Sequence, residues 1–183
     1  MPETLEEIRS ELVHGAELMM SPANLRHNRI GGNLCRIIGN YLRGKKCKLF
    51  YESYVFFDEK NRFIPDLMVV CDKGKIKETH VEGAPDLVIE ILSVRTQKRD
   101  LGIKKQVYEK FGVREYWIVD PRSKTIFVYH LSEGRLELDN AYSVAQDWEY
   151  ELLTEDERKD ITLSLKVSLY DDLVIDVREV FED

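Results

Sequence analysis

The sequence has few cysteines and no long apolar run, and both scarcities exclude classes of protein. Its 183 residues include three cysteines, Cys35, Cys47 and Cys71, whose odd number and wide spacing fit neither a disulfide framework nor a cysteine-based zinc site. No apolar run approaches the roughly 20 residues that span a bilayer, so we expect no membrane segment. The acidic N-terminus lacks both a basic start and an apolar stretch, so we expect no signal peptide and a reducing cytoplasm as the compartment.

Several common motifs are missing as well. The chain has no glycine-rich loop that cradles phosphates, no G-x-S-x-G turn and no dinucleotide fingerprint. These absences argue against a kinase, a hydrolase with a serine nucleophile and an oxidoreductase. Because the chain also lacks internal repeats and Pro/Gly/Ser-rich linkers, its length predicts a single domain over residues 1–183.

The charge of the chain is unevenly distributed. The net charge is −7, but residues 133–183 carry 16 acidic and 5 basic side chains, a net of −11, which leaves +4 for residues 1–132. A polyanion responds to the local field rather than to the total charge. The basic segments 43–48 and 95–105 are therefore candidate phosphate contacts, although such runs are more commonly solvated faces.

The hydrophobic pattern predicts a helix, three strands, a helix and a further strand. Ser21-Pro22 is typical of a helix start, and Gly44 ends that helix. The later elements are predicted at 48–57, 63–71 and 85–93 for the strands, 97–111 for the helix, and 115–120 and 125–131 for two further strands. The fold class is therefore α/β (α+β), a mixed central sheet flanked by helices in the order αβββαβ, with extra strands in the C-terminal third.

Two carboxylates occupy strands that should be buried. Glu90 lies in the middle of PDLVIEILS, on the same face as Asp86, and Asp66 lies in FIPDLMVV. An ionised carboxylate is costly to bury, so each must be protonated, paired with a cation or bound to metal. Two carboxylates from adjacent strands would form a hard oxygen site suited to Mg²⁺ or Mn²⁺. The alternative is that each carboxylate pairs with lysine or arginine or caps a turn after its proline. This alternative is equally open for Asp66, is favoured for Asp86 and is weaker for Glu90.

The helix at 97–111 carries a polar stripe. Asp100, Lys104 and Tyr108 recur at i, i+4 and i+8 and border the apolar positions Ile103 and Val107. A helix that follows the Glu90 strand packs back across the sheet, so Lys104 would extend its ammonium towards that carboxylate. Near a phosphate, such a charge stabilises a developing oxyanion. On spacing alone, a surface pair between Asp100 and Lys104 is the favoured interpretation.

A resemblance to a known family rests on the central stretch PDLVIEILSVRTQKRDLGIKKQVYEKFGVREYWIVDP. It resembles the signature of a large bacterial family of restriction endonuclease-like proteins, a domain-of-unknown-function group within the PD-(D/E)XK nuclease superfamily. The segments HGAELMMSP and IPDLMVV, and the helix that contains His27, are similar to the family's opening blocks. The resemblance covers almost the whole chain and implies an αβββαβ core.

The resemblance also implies roles for individual residues. Asp66 matches the motif aspartate and Glu90 the second acidic metal ligand, while Leu92 occupies the position where the usual motif has its lysine. The family resembles a migrated version of the motif in which Lys104 of the following helix supplies that lysine. Ser93-Val94-Arg95-Thr96 departs from the common S-P-S-T block and alters a loop beside the expected site.

Two further residues match polar positions of the family. Glu17 and His27 are implied to lie near the site, and Asp86, Asp100 and Tyr108 are possible accessory residues. His27 is more commonly explained as a packed or surface histidine than as a ligand.

The implied function is a Mg²⁺- or Mn²⁺-dependent endonuclease that hydrolyses DNA phosphodiester bonds. A homodimer is expected by analogy with nucleases that cut both strands. The alternative is a catalytically silent module with a nuclease-like fold that binds a partner or a nucleic acid, since fold does not establish activity.

Overall fold

A computed structural model describes residues 9–182. The strands are β1 (Ser10–Val13), β2 (Ala16–Met19), β3 (Lys48–Tyr51), β4 (Val55–Asp58), β5 (Asn61–Phe63), β6 (Leu67–Val70), β7 (Val81–Glu82), β8 (Leu87–Ile91), β9 (Glu115–Asp120), β10 (Thr125–Ser132), β11 (Arg135–Ser143), β12 (Ser164–Lys166) and β13 (Val174–Asp176). The helices are α1 (Leu25–Leu42), a 3₁₀ turn (Lys73–Lys75), α2 (Gln97–Arg99), a π-helical turn (Asp100–Lys104), α3 (Lys105–Phe111), α4 (Asp147–Leu152), α5 (Glu155–Asp160) and α6 (Val177–Val180).

The central sheet has six strands in the order β11-β10-β9-β8-β6-β3. Only β8 and β9 run parallel within it, and the helical segment 97–111 provides the crossover that a parallel pair requires. Three strands of the central sheet, β3, β6 and β8, lie between α1 and the helical segment 97–111 along the chain. Strand β9 follows that segment. The predicted mixed α+β fold with an αβββαβ order is confirmed.

Strand β6 shows why this sheet is buried on both faces. Side chains alternate along a strand, so Leu67 and Val69 join the apolar cluster that includes α1, whereas Met68 and Val70 join the cluster that includes Tyr108 of α3. All four β6 side chains are buried. A carboxylate at the end of such a strand is therefore placed next to apolar layers on either side.

A second sheet has the order β2-β1-β5-β4-β7 and was not fully anticipated. The strands predicted at 48–57 and 63–71 each prove to be two strands, because the chain passes from one sheet to the other within each segment. The first break contains Glu52, which has a positive φ of 42°, and the second is the segment 64–66. The second crossing places Asp66 at the junction of the two sheets.

The N-terminal hairpin of β1 and β2 was missed in the sequence. Its two-residue turn, His14-Gly15, has φ values of 50° and 82°, which suit the right-handed twist of a tight hairpin. Residues 1–8, on which part of the signal-peptide expectation rests, lie outside the described residues. No helix within residues 9–182 is long and apolar enough to cross a membrane.

The helix predicted at 97–111 is interrupted by the π-helical turn at its centre. A π turn holds an extra residue and so rotates the residues on either side of it relative to a regular helix. Ile103, expected on the apolar face, is 40% exposed, whereas Asp100 and Lys104 are buried. The assignment of Ile103 to the buried face is therefore wrong, and the polar stripe faces inward.

The C-terminal third contains helices where a strand was considered. The segment EYELL belongs to α4, whose start carries a reciprocal capping box between Gln146 and Glu149. Extra strands expected in this third are present as β12 and β13, which pair with each other as a separate two-stranded sheet.

The expectation that all cysteines are reduced is wrong, because Cys47 and Cys71 form a disulfide. These residues flank the paired positions Lys48 and Val70, so antiparallel pairing of β3 with β6 brings them together across a sequence separation of 24. Cys35 is free and half-buried. Reduced cysteines were one reason to expect a cytoplasmic location, and disulfides persist mainly in oxidising compartments. The cysteines therefore no longer support the cytoplasmic location, which stays a prediction.

Reduction of this disulfide should lower the free energy of unfolding by about 2–4 kcal/mol, because the cross-link limits the freedom of the unfolded chain. Urea unfolding with and without dithiothreitol measures the change. The variant that carries both Cys47→Ala and Cys71→Ala should match the reduced protein and should not respond to dithiothreitol. Equal stability of oxidised and reduced protein would contradict the cross-link.

Candidate active site

A cleft of about 1030 Å³ opens at the junction of the two sheets. Its lining includes residues of the connection between β2 and α1, of the segment 64–66, of the end of β8 and of the turn 93–96. Four residues singled out in the sequence line it together: His27, Asp66, Glu90 and Lys104. They come from four separate elements, so the fold is what brings them together.

Asp66 is held by its neighbours in the central sheet. The β6–β8 register pairs Leu67 with Ile89, which puts Asp66 beside Glu90 on the adjacent strand. One Asp66 carboxylate oxygen, Oδ2, accepts a hydrogen bond from the backbone N–H of Ile91 at 2.6 Å. This contact fixes the carboxylate at the edge of the cleft.

Glu90 is 4% exposed and lies next to the last residue of β8. Its Oε1 forms an ion pair with Nζ of Lys104 at 2.5 Å and accepts a hydrogen bond from the hydroxyl of Tyr108 at 2.6 Å. Burial raises the pKa of Glu90 well above its ordinary value, while the positive charge of Lys104 acts in the opposite direction. Within residues 9–182 no donor contacts Oε2, so this oxygen is available to another ligand.

Lys104 occupies the end of the π-helical turn and is 3% exposed. Its Nζ lies 2.5 Å from Glu90, 3.0 Å from Glu11 and 3.7 Å from Asp100. Burial alone would lower the pKa of Lys104, but the three carboxylates outweigh it and raise that pKa. The predicted reach of Lys104 towards Glu90 is present, and the side chain is a charged ammonium.

Asp100 and Tyr108 complete the surroundings of this ammonium. Asp100 is buried, and its Oδ1 has no hydrogen-bond partner within the described residues. Burial raises its pKa. The interpretation of Asp100 and Lys104 as an exposed surface pair is therefore wrong. Tyr108 is enclosed by aromatic rings, including those of Phe57 and Tyr116, which hold its hydroxyl towards Glu90.

His27 is both a packed histidine and a cleft residue. Asn24 caps α1 by accepting a hydrogen bond from the backbone N–H of His27, which fixes the first turn of the helix. The Nε2 atom of His27 lies 3.2 Å from Oδ1 of Asp66. Burial acts to lower the pKa of His27, but the hydrogen bond to Asp66 and its negative charge raise it by more.

Two predicted accessory residues are not brought to the cleft. Asp86 accepts a hydrogen bond from the backbone N–H of Cys71 at 2.7 Å and lies 3.3 Å from Arg114, so it makes the pairing that the sequence favoured. Glu17 is exposed and accepts a hydrogen bond from the hydroxyl of Ser10 at 2.7 Å. Neither lines the cleft, because each faces a different part of the fold.

Glu11 is the buried cleft residue that the sequence interpretation missed. It is 2% exposed on β1, and its Oε1 accepts hydrogen bonds from Lys104 and, at 2.9 Å, from the backbone N–H of Ile64. The signal that could have found it is the His14-Gly15 dipeptide, which marks a hairpin and so places Glu11 in a strand.

Three arginines line the cleft and give it positive charge near the carboxylates. Arg9 is paired with Glu52 at 2.7 Å, Arg99 lies 3.7 Å from Glu11, and Arg95 contacts Ser21. Of the two basic segments in the sequence, 95–105 contributes to this lining and 43–48 does not.

The donor set of the cleft fits one hard cation. Within residues 9–182 no group of three histidine, cysteine, aspartate or glutamate side chains is arranged to hold a metal ion. Asp66 and Glu90 are nevertheless two neighbouring carboxylates that open into one cleft. Mg²⁺ is commonly bound by one or two carboxylates together with water and substrate phosphates, so two protein ligands are enough.

Comparison with known proteins identifies the family of the chain. The sequence model of the Uma2 family, described as "Putative restriction endonuclease", matches residues 1–165. The chain belongs to the Uma2 family. The predicted resemblance to a restriction endonuclease-like family is thereby confirmed.

Relatives of this Uma2 protein are found in cyanobacteria. The uncharacterized protein slr1290 of Synechocystis sp. is 27% identical over 68% of this chain and 67% of its own length. The uncharacterized protein sll1609 of the same organism is 24% identical over 61% of this chain and 66% of its own. The chain thus spans about two thirds of each relative.

A solved structure shares the fold of this Uma2 protein. It is described as a putative nuclease belonging to DUF820 from Anabaena variabilis, and it has a TM-score of 0.72 at 21% sequence identity. The match covers 99% of this chain and 93% of the other. At this level of identity the likeness shows a common fold.

Replacement of Tyr108 by phenylalanine should lower the free energy of unfolding by about 1–3 kcal/mol, because it leaves the buried carboxyl group of Glu90 without one of its hydrogen-bond partners. Urea unfolding measures the loss. Tyr129→Phe is the control, since its hydroxyl makes no hydrogen bond within residues 9–182 and should cost much less. Equal losses in both variants would contradict a structural role for the Tyr108 hydroxyl.

Proposed function

We propose that this Uma2 protein is a divalent-metal-dependent endonuclease of the PD-(D/E)XK type that hydrolyses DNA phosphodiester bonds. The observation that carries the proposal is the convergence of Asp66, Glu90 and Lys104 in one cleft, with Lys104 2.5 Å from Glu90. The match to a family described as "Putative restriction endonuclease" supports the same reaction class.

Asp66 and Glu90 would hold the metal, which is Mg²⁺ or Mn²⁺ by the hardness of their oxygens. When bound, such an ion activates water and offsets the charge of a phosphate. Lys104 supplies a fixed positive charge beside Glu90, which stabilises negative charge as it develops on the phosphate oxygens. His27 holds the carboxylate of Asp66 in place from the other side.

The charges of the buried cluster support cation binding. Glu11, Glu90 and Asp100 surround the single ammonium of Lys104. With the three carboxyl groups ionised, negative charge exceeds positive charge around this lysine. A divalent cation at Asp66 and Glu90 would reduce that excess.

The arginines of the cleft favour a phosphate-containing polymer as the substrate. Arg95 and Arg99 belong to the helix-start region next to Glu90, and Arg9 begins the opposite hairpin. Contacts between arginine and phosphate position a nucleic acid without reading its sequence. DNA is the substrate we propose, and its backbone would lie across these side chains.

One observation favours the alternative, a catalytically silent module that binds a partner or a nucleic acid. Lys104 and Tyr108 already compensate the buried charge of Glu90, so the fold does not require a metal at this position. Such a module would bind DNA or a partner but would not bind Mn²⁺ through Asp66 and Glu90. Metal titration therefore separates the two functions.

Isosteric replacement of the site residues should abolish cleavage of plasmid DNA. Asp66→Asn, Glu90→Gln and Lys104→Met should each lower the Mg²⁺-dependent rate by about 100-fold or more, because each removes a charge that acts on the phosphate or its ligands. Calorimetric titration with Mn²⁺ should show weaker binding in the two carboxylate variants. Circular dichroism checks that each variant is folded.

Matched controls use neighbours that lie outside the cleft. Asp86→Asn replaces a carboxylate of the same strand region, and Lys105→Met replaces the next lysine along the chain. Both should retain the wild-type rate within a few-fold. Cleavage that persists in Glu90→Gln would remove Glu90 from the mechanism, and a folded wild type that neither binds Mn²⁺ nor cuts would favour the silent module.

Arg95→Gln should reduce the salt dependence of DNA binding. Each phosphate contact contributes about 0.9 to the slope of log affinity against log salt concentration for duplex DNA, so loss of one contact should reduce the slope by about that amount. Fluorescence anisotropy in the Glu90→Gln background avoids cleavage during the measurement. Arg43→Gln is the control from the basic segment outside the cleft, and an equal change there would contradict cleft binding.

A homodimer and a cytoplasmic location complete the proposal. Two-fold pairing allows both strands of a duplex to be cut. The strand β11 lies at an edge of the central sheet and exposes Leu138, so it is a candidate interface. Sedimentation would show a particle of twice the 21.5 kDa of one chain, and a monomer at high concentration would contradict the dimer.

A further inference from the structure

Glu11 connects parts of the cleft that are far apart in the sequence. Its Oε1 accepts hydrogen bonds from the backbone N–H of Ile64 at 2.9 Å and from Nζ of Lys104 at 3.0 Å, and its Oε2 lies 3.7 Å from Arg99. Ile64 precedes Asp66 by two residues. One buried carboxylate therefore contacts both the segment that carries Asp66 and the helix that carries Lys104.

The second contact of Lys104 matters when Glu90 takes on another partner. Glu90 is bound to Lys104 through Oε1, and a cation at Glu90 would draw electron density from the same carboxylate and repel the ammonium. With Glu11 present, Lys104 keeps a close carboxylate that is not shared with the cation. Without it, only Asp100 at 3.7 Å would remain on that side.

We propose that Glu11 is a positioning residue that holds the ammonium of Lys104 in the cleft while Glu90 binds a divalent cation. This inference rests on the proposed function, because it gives Glu11 a role in the same site. Glu11 acts through Lys104 and touches neither substrate nor metal.

A purely structural role is the competing explanation. Glu11 also ties the N-terminal hairpin to the rest of the fold through Ile64, and loss of one partner from a buried ion pair destabilises a protein. A change in stability alone would therefore not distinguish the two roles. The readout must depend on the presence of Lys104 in the folded protein.

A double-mutant cycle with Mn²⁺ binding as the readout meets this requirement. Glu11→Gln keeps an oxygen that accepts the Ile64 N–H but removes the charge that holds Lys104. We expect Mn²⁺ affinity, measured by calorimetry, to fall about tenfold in Glu11→Gln, because Lys104 then competes with the cation for Glu90. In the Lys104→Met background the same replacement should change the affinity by less than about twofold.

Cleavage kinetics provide a second readout. Glu11→Gln should lower kcat about tenfold, and it should add no further loss to Lys104→Met. Glu109→Gln is the matched control, because Glu109 accepts a backbone N–H from Leu136 at 2.7 Å outside the cleft. It should leave kcat, KM and Mn²⁺ affinity unchanged.

The outcomes separate this inference from the proposed function. Equal losses of Mn²⁺ affinity with and without Lys104 would overturn the positioning role and leave the metal-dependent nuclease intact. A folded wild type without saturable Mn²⁺ binding would overturn both. If Glu11→Gln does not fold, Glu11→Asp is the substitute variant. The shorter aspartate keeps the negative charge but withdraws the carboxylate from Lys104. A wild-type Mn²⁺ affinity in Glu11→Asp would overturn the inference.

Discussion

The burial of one ammonium among three carboxylates is the interaction on which the cleft depends. Lys104 lies within 4 Å of Glu11, Glu90 and Asp100, and all four side chains are almost fully withdrawn from solvent. None of these carboxylates could be buried alone without a large loss of hydration energy. The ammonium and the carboxylates therefore compensate each other's burial, and the aromatic rings around Tyr108 pack against one side of the cluster.

The fold produces this arrangement by passing the chain from one sheet to the other within the segments 48–57 and 61–70. The second crossing, at 64–66, leaves Asp66 at the end of β6 beside Glu90 of β8. The π-helical turn then directs Lys104 into the same space. A regular helix would present a different side of this segment to the sheet, so the local irregularity is what allows a charged stripe to face the interior.

Much of this could be predicted from the sequence, because apolar runs and alternation report directly on burial. The succession of strands around Glu90 follows from such runs, and the approach of Lys104 to Glu90 follows from the helix that comes directly after this strand. The points at which the chain leaves one sheet for the other, within 48–57 and 63–71, could not be predicted, because the residues on both sides of each point are apolar. The side of the helix on which Ile103 lies could not be predicted either, because the amino-acid composition does not reveal a π turn.

Long-range pairing explains the remaining differences. The Cys47–Cys71 bond depends on the register of β3 with β6, and Glu11 depends on a hairpin whose only signal is a short turn. The spacing of residues along the chain reveals neither the register of these strands nor this hairpin. Residues such as Asp86, whose partners are close in the sheet, were interpreted more easily than residues whose partners come from another layer.

The distance in sequence between the partners in the cleft has a consequence for folding. Glu11 and Lys104 are 93 residues apart, and Asp66 accepts a hydrogen bond from a residue 25 positions away. Such contacts require the long loops between them to close, so the charged cluster is complete only when both sheets have docked. Chains in which the sheets have not docked therefore lack the cleft.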